Sequence, residues 1–333
     1  MTNNTTSSKQ RLALVLGATG GIGGTVARTL VARGWRVRAM GRDAEGAATR
    51  HPTFEWVTGD AMTAADVTAA AQGVELIVHA VNPPGYKDWG KLVVPMLDNT
   101  IAAAKAVGAR IVFPGTVYNF GRDAFPRLTE LSPQHPETKK GALRVDMERR
   151  LETAAQAGTQ VIVVRAGDYF GPNAANNWFS GALVTPGRPV TTIRNPSRLG
   201  VGHQWAYLPD VAETMVRLVE RADHLPAFAV YHMNGVWDAD GTQLASAIQR
   251  VAGGAIKPFP WWIVPLAAPF VTFMREVREM RYLWRESLEM SNDKLVAELG
   301  EEPHTTLDEA VRTTLDALGC LNQQQPNPGA PKE

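Results

Sequence analysis

Short apolar runs alternate with longer amphipathic stretches through the first half of the chain. The runs Leu12–Leu16, Arg36–Met40, Phe54–Thr58, Leu76–His79, Arg110–Pro114 and Val161–Arg165 have strand length and are nearly all apolar. Between them, Ile22–Arg33, Ala64–Ala71, Lys91–Val107 and Thr138–Ala157 carry the longer period of helices. Strands with no polar face, each separated from the next by a helix, predict a parallel sheet buried on both sides. Past Gly171 the pattern turns irregular and rich in Pro, Gly, Asn and Trp, as expected of a region built from insertions that covers a substrate. Helices are expected there at Leu208–Arg221, Gly241–Val251, Val271–Leu283 and Leu307–Leu318. Residues 1–10 and 322–333 are polar or low in complexity and are expected to be disordered tails.

The first apolar run feeds directly into Gly17-Ala-Thr-Gly20-Gly-Ile-Gly23, which opens the first helix. Gly17 lets the chain leave the strand tightly, Gly20 removes a side chain that would hold a pyrophosphate away, and Gly23 lets the helix lie close to the sheet. Unpaired N–H groups at the helix start would receive the phosphates. The expected fold class is therefore α/β, a Rossmann-type doubly wound parallel sheet over residues 11–171 with later additions. A smaller covering subdomain over 172–321 follows. Thr19, Gly21 and Ile22 join the three glycines as expected cofactor contacts. After the second strand the chain reads Met40-Gly41-Arg42, with Asp43 only after the arginine. An arginine there suits the 2′-phosphate of NADP, whereas an acid suits the free hydroxyl of NAD. NADP(H) is favoured, with NAD(H) possible. Asp60 and Ala61 are expected near the adenine, and Ala80, Val81 and Asn82 where the cofactor passes the fourth strand.

Composition excludes several classes. The 333 residues carry a net charge of +1, too little to draw nucleic acid or an anionic membrane. The longest apolar stretch, Trp261–Met274, is too short for a span and contains Pro265 and Pro269. The single cysteine, Cys320, leaves no internal disulfide framework, and the polar N-terminus is not a secretory signal, so a cytoplasmic protein is expected. The seven histidines have no ligand spacing, and no metal is expected.

The glycine motif, Gly59-Asp60, Ile111-Val-Phe-Pro-Gly-Thr116, Val164-Arg-Ala-Gly-Asp-Tyr-Phe-Gly-Pro172, Trp205-Ala-Tyr-Leu-Pro-Asp210 and Thr306–Leu315 occur in one order. Together they resemble the extended and atypical short-chain dehydrogenase/reductases, the group containing NAD(P)-dependent epimerases and dehydratases. The resemblance implies a homodimer paired through Lys91–Val107 and Thr138–Ala157. It also implies a hydroxyl residue, a tyrosine and a lysine in a Tyr-x-x-x-Lys pair, with the tyrosine exchanging a proton as hydride moves. Thr116 falls at the hydroxyl position. The tyrosine is absent: Lys140 and Arg144 stand at the pair, followed by Glu148. Arg144 could hold the ribose. Lys140, Tyr118 on the loop leaving the fifth strand, or Asp168 could handle the proton.

His203 stands where nucleotide-sugar relatives carry an arginine, and Asp168 where they commonly carry asparagine. A carboxylate there would repel a diphosphate, although Arg188, Arg194 or Arg198 could compensate. The covering region supplies Trp178, Phe179, Trp205, Trp261, Trp262, Phe270 and Phe273, which suit a small, partly apolar carbonyl or alcohol, a core of their own, or a partner surface. The arginines and glutamates from Arg275 to Glu286 are expected to form solvated helical ion pairs. The leading expectation is an NADP(H)-dependent oxidoreductase. An epimerase or dehydratase of a sugar or nucleotide sugar is the second, and a non-catalytic dinucleotide sensor the third.

Overall fold

The computed structural model describes residues 10–83, 88–174, 177–270 and 272–321. Apart from Gln10, the two tails lie outside the described residues, as do Val271 and the side chains of Thr272, Phe273, Val277 and Glu276, the last an expected member of the Arg275–Glu286 ion pairs.

The first half runs β1 (Leu12–Leu16), α1 (Gly21–Ala32), β2 (Arg36–Gly41), α2 (Ala44–Arg50), β3 (Glu55–Thr58), α3 (Ala64–Ala70), β4 (Leu76–His79), α4 (Trp89–Val107), β5 (Arg110–Thr116), β6 (Arg127–Leu128), α5 (Lys139–Gln156) and β7 (Val161–Ala166). The remainder is β8 (Asp168–Phe170), β9 (Thr192–Asn195), β10 (His203–Tyr207), α6 (Leu208–Glu220), β11 (Phe228–His232), β12 (Val236–Asp238), α7 (Gln243–Ala252), β13 (Ala255–Pro258), α8 (Ile263–Ala267), α9 (Thr272–Glu279), β14 (Glu289–Met290), α10 (Asp293–Leu299) and α11 (Leu307–Ala317). Each expected strand is present to within a residue or two.

Seven strands form one parallel sheet in the order β11-β7-β5-β4-β1-β2-β3. Alternate residues of β1 show why its sequence is apolar throughout. Ala13 and Val15 pack with Val26 and Leu30 of α1 and Val211 and Met215 of α6. Leu12, Leu14 and Leu16 pack on the other face with Leu97 of α4 and Leu151 of α5. The strand order reverses between β1 and β4, and a ligand crevice opens at such a reversal beyond the carboxyl ends of the strands.

β11 was not among the expected strands. Phe228–His232 pairs beside β7 and completes the sheet from a segment that its loop-rich surroundings disguise. The covering region is also more regular than expected: β12-β10-β8 form a three-stranded sheet, while β13-β9 and β14-β6 are two-stranded. Its core joins Phe170, Phe179, Trp205, Tyr207 and Trp284 to Leu244, Ile248, Val311 and Leu315. The expected helix Val271–Leu283 divides into α9 and a 3-10 segment, Met280–Trp284. No helix among the described residues is long and apolar enough to cross a membrane.

Candidate functional site

A cleft of about 830 Å³ crosses the carboxyl edge of the sheet. One end begins at the glycine turn. Gly17 has φ +89°, and a side chain there would bring its Cβ to 2.5 Å from Ala80 O. At Gly23 a Cβ would collide with Gly17 O, so both positions require glycine for close approach of turn and helix. Gly20 is the N-cap of α1, no side chain caps this helix, and its first turn carries no acid. The cradle therefore keeps its donors for an outside anion, and the residues present fit a dinucleotide pyrophosphate.

Of the expected cofactor contacts, Gly17, Thr19, Gly20, Gly21, Ile22, Arg42, Asp60, Ala61, Ala80, Val81 and Asn82 all line the cleft. Gly23 does not line it and acts through packing. Beyond the end of β2, Arg42, Asp43 and Arg50 line the cleft together. The Asp43 carboxylate is engaged as the cap of α2, accepting the Gly46 N–H at 3.0 Å, and stands 3.8 Å from Arg50. Asp60 accepts the Met62 N–H at 2.9 Å.

Thr116, Tyr118, Arg144 and Asp168 meet at the other end. Thr116 closes β5 and accepts the Tyr118 N–H at 3.3 Å. The Tyr118 hydroxyl donates to Asp168 Oδ1 over 3.4 Å. Arg144, in the second turn of α5, donates to Pro114 O at 3.3 Å and lies over the rings of Trp89 at 5.1 Å and Phe113 at 5.5 Å.

Lys140 is not part of the cleft wall. It is 3% exposed, and its ammonium meets Glu279 of α9 at 2.8 Å. Burial alone would raise the Glu279 carboxyl, but the bonds from Lys140 outweigh it and hold the carboxyl below its ordinary range. Glu279 thus serves a tertiary pair rather than the helical ladder expected along Arg275–Glu286. Arg281, similarly, lies 5.2 Å over the Trp261 ring.

Several wall residues were not anticipated: His79, Trp89, Tyr169 and Met280. Tyr169 donates to Gly115 O at 3.0 Å, and burial raises its pKa above the ordinary phenol value, so it stays a phenol. Its place next to Asp168 at a strand end was a signal that could have found it. Of the aromatic residues, Phe179 and Trp205 are core, whereas Trp178 lines the cleft and meets Trp284 at 4.7 Å. Trp262 and Phe270 are exposed.

His79 ends β4, the position from which a residue reaches the crevice. Its Nδ1–H donates to Thr100 Oγ1 at 2.8 Å, because that hydroxyl already donates to Met96 O. Burial, with a smaller contribution from the Arg144 charge, lowers its pKa from 6.5 to about 3. The unfolded chain therefore takes up this proton first as pH falls below 6.5. Stability should decline from pH 6.5 down to about 3, by up to roughly 4 kcal/mol from this group. Urea titrations at stepped pH should show a shallower decline for His79→Gln; an unchanged slope would remove the assignment.

Sheet order and glycine turn define a protein of the doubly wound, Rossmann-type α/β class. The sequence profile of the NAD dependent epimerase/dehydratase family matches residues 13–233, and the chain belongs to that family. The resemblance read from the motifs is thereby upheld. A curated relative, the uncharacterized protein y4nL of Sinorhizobium fredii, is 30% identical over 183 residues, 49% of this chain. The match spans about half of that relative, 51% of its length.

Among solved structures, UDP-glucose 4-epimerase of Brucella ovis in complex with NAD is similar with a TM-score of 0.73 at 15% identity, over 93% of this chain and 98% of that one. UDP-glucose 4-epimerase of Bifidobacterium longum in complex with NAD+ and UDP gives 0.70 at 15%, over 92% and 97%. The dTDP-glucose 4,6-dehydratase of Bacillus anthracis in complex with NAD gives 0.69 at 13%, over 92% and 96%. At these identities the likeness is one of fold.

Proposed function

We propose that the protein binds a pyridine dinucleotide along the cleft and acts as an NAD(P)-dependent epimerase or dehydratase on a sugar-like secondary alcohol. The observation that carries this reading is the convergence of Thr116, Tyr118 and Arg144 at the far end of a cleft that starts at the glycine turn. When bound, the nicotinamide accepts a hydride from the alcohol carbon and can return it. Thr116 would orient the substrate oxygen, Tyr118 would exchange the proton with it, and Arg144 would hold the ribose. Family membership favours this closed cycle over the net oxidoreductase that leads the sequence reading.

The oxidoreductase reading keeps one observation in its favour. At the substrate end Trp178 and Met280 give the wall an apolar part, and Arg144 is the cation of that wall among the described residues. Incubation with NADP+ or NAD+ and UDP-glucose, dTDP-glucose or cyclohexanol separates the two. Product without accumulation of reduced coenzyme supports the epimerase or dehydratase, steady accumulation supports the oxidoreductase, and absence of coenzyme uptake sinks both.

NADP(H) is the preferred coenzyme in this proposal, supported by Arg42 and Arg50 and by the engagement of Asp43 in capping α2. Arg42→Ala should weaken NADPH by roughly 10–100-fold, the worth of a charge-assisted bond, and NADH far less. Parallel losses for both, measured by calorimetry, would remove the preference.

A further inference from the structure

The structure puts two groups behind Tyr118. Asp168 begins β8 and His203 begins β10, and these strands pair in parallel with Trp205 opposite Asp168. His203 lies two residues before Trp205, so its side chain shares the face of Asp168. His203 Nε2 is 2.9 Å from Asp168 Oδ2, and His203 Nδ1 is 3.2 Å from Leu283 O. Both residues are buried, at 5% and 8% exposure.

Proton counting follows from these bonds. A carbonyl oxygen only accepts, so Nδ1 carries a proton. Nε2 and Oδ2 would be two facing acceptors unless one more proton lies between them. The Tyr118 hydroxyl donates to the other oxygen, Oδ1. The imidazole is also held flat against Trp284, with centroids 3.7 Å apart and planes 7° apart.

We propose that Asp168 and His203 form a proton-holding dyad behind Tyr118 that accepts the phenol's proton. The inference rests on the functional reading given above. As the substrate C–H bond breaks and its electron pair leaves as hydride to the coenzyme, C=O forms and the hydroxyl proton moves to Tyr118 Oη. The phenol's own proton moves to Asp168 Oδ1, while Nε2–H stays bonded to Oδ2. Reduction of the carbonyl runs the same transfers backwards. The 3.4 Å link from Tyr118 to Asp168 would tighten with substrate in place. His203 touches no substrate and is a positioning residue.

Among the described residues, the groups facing the dyad include Asp238 of β12 opposite His203, Tyr282 and Tyr169 near Asp168, and Arg144 near Tyr169. Asp238 is tied to the start of α7 by the N–H groups of Gln243 and Leu244. Burial raises both tyrosines above the ordinary phenol value, so neither competes for the proton at neutral pH.

The test uses the full chain with NADPH bound, isotope-labelled at the histidine ring nitrogens and aspartate carboxyls, and read by NMR at neutral pH. His203 and Asp168 are identified by the signals lost in His203→Gln and Asp168→Asn. The expected result is two dissociable protons on the pair, one on Nδ1 and one shared. A ring with one proton beside an ionised carboxylate overturns the dyad. Gln can still donate to Asp168 but cannot carry the extra charge, so it would rescue a merely structural role. His203→Gln should therefore keep NADPH affinity yet lose roughly 10–100-fold in turnover of whichever of the three probes reacts, with an altered pH profile; Tyr118→Phe should lose at least as much. Turnover and pH profile matching the unmodified protein would also overturn it. Failure of the unmodified chain to take up NADPH falls instead on the functional reading and is recognised by that.

Discussion

Gly20→Asp is expected to abolish dinucleotide binding while leaving the fold intact. Gly20 is the N-cap of α1 with φ −88° and ψ 170°, an extended conformation open to any residue. A Cβ there meets only Gly17 O, at 3.3 Å, a tight contact that a small shift relieves. Aspartate is moreover among the preferred N-cap residues, so the helix should hold or gain stability. The same carboxylate would occupy the N–H groups meant for the coenzyme and place a negative charge against its phosphates. Two like charges about 4 Å apart near a protein surface repel by roughly 4 kcal/mol, about a thousandfold in affinity. Calorimetry should find no measurable NADPH binding, alongside an unaltered circular dichroism spectrum and a urea midpoint no lower than the parent's. Unchanged affinity would show that the phosphates lie elsewhere.

Glu148→Ala should produce the largest loss of stability among single changes near the cleft, about 3–5 kcal/mol. Glu148 of α5 and Arg165 of β7 are 3% and 2% exposed. Arg165 Nη2 donates to Glu148 Oε2 at 2.5 Å, its Nε to the same carboxylate at 3.0 Å, and its Nη1 to His232 Nε2 at 3.1 Å. Burial and the Arg165 charge push the His232 pKa well below its usual value, which keeps that nitrogen an acceptor. Removing the carboxylate strands a guanidinium in the interior. Urea unfolding should show a lower midpoint with the slope kept, and Glu148→Ala/Arg165→Met should recover much of the loss because no buried charge is left alone. A single variant within about 0.5 kcal/mol of the parent would contradict the buried pairing.

These two sites differ in how far they could be read from the chain. The glycine spacing reports a local event, a strand turning into a helix, and local geometry is written in consecutive residues. Arg42, Asp60 and Ala80 to Asn82 were legible for the same reason: each directly follows an apolar run, and such ends converge at one edge of a parallel sheet. Glu148 and Lys140 carried no such signal. Both lie on one helix of charged appearance, yet one closes on Arg165 of a strand and the other on Glu279 of a distant helix. The covering strands were hidden because each is short and its partners are far along the chain, as with β8 and β10. β11 escaped because its neighbour β7 lies more than sixty residues earlier.

Periodicity and glycine placement were thus sufficient for the doubly wound sheet, the glycine turn and the edge at which the cleft opens, since these follow from backbone sterics and the burial of apolar faces. Only the tertiary structure decided which polar side chains meet. It drew Lys140 out of the cleft and set His203 against Asp168 behind Tyr118. Partners of buried charges and protons are chosen by proximity in space, and no spacing along the chain encodes that proximity.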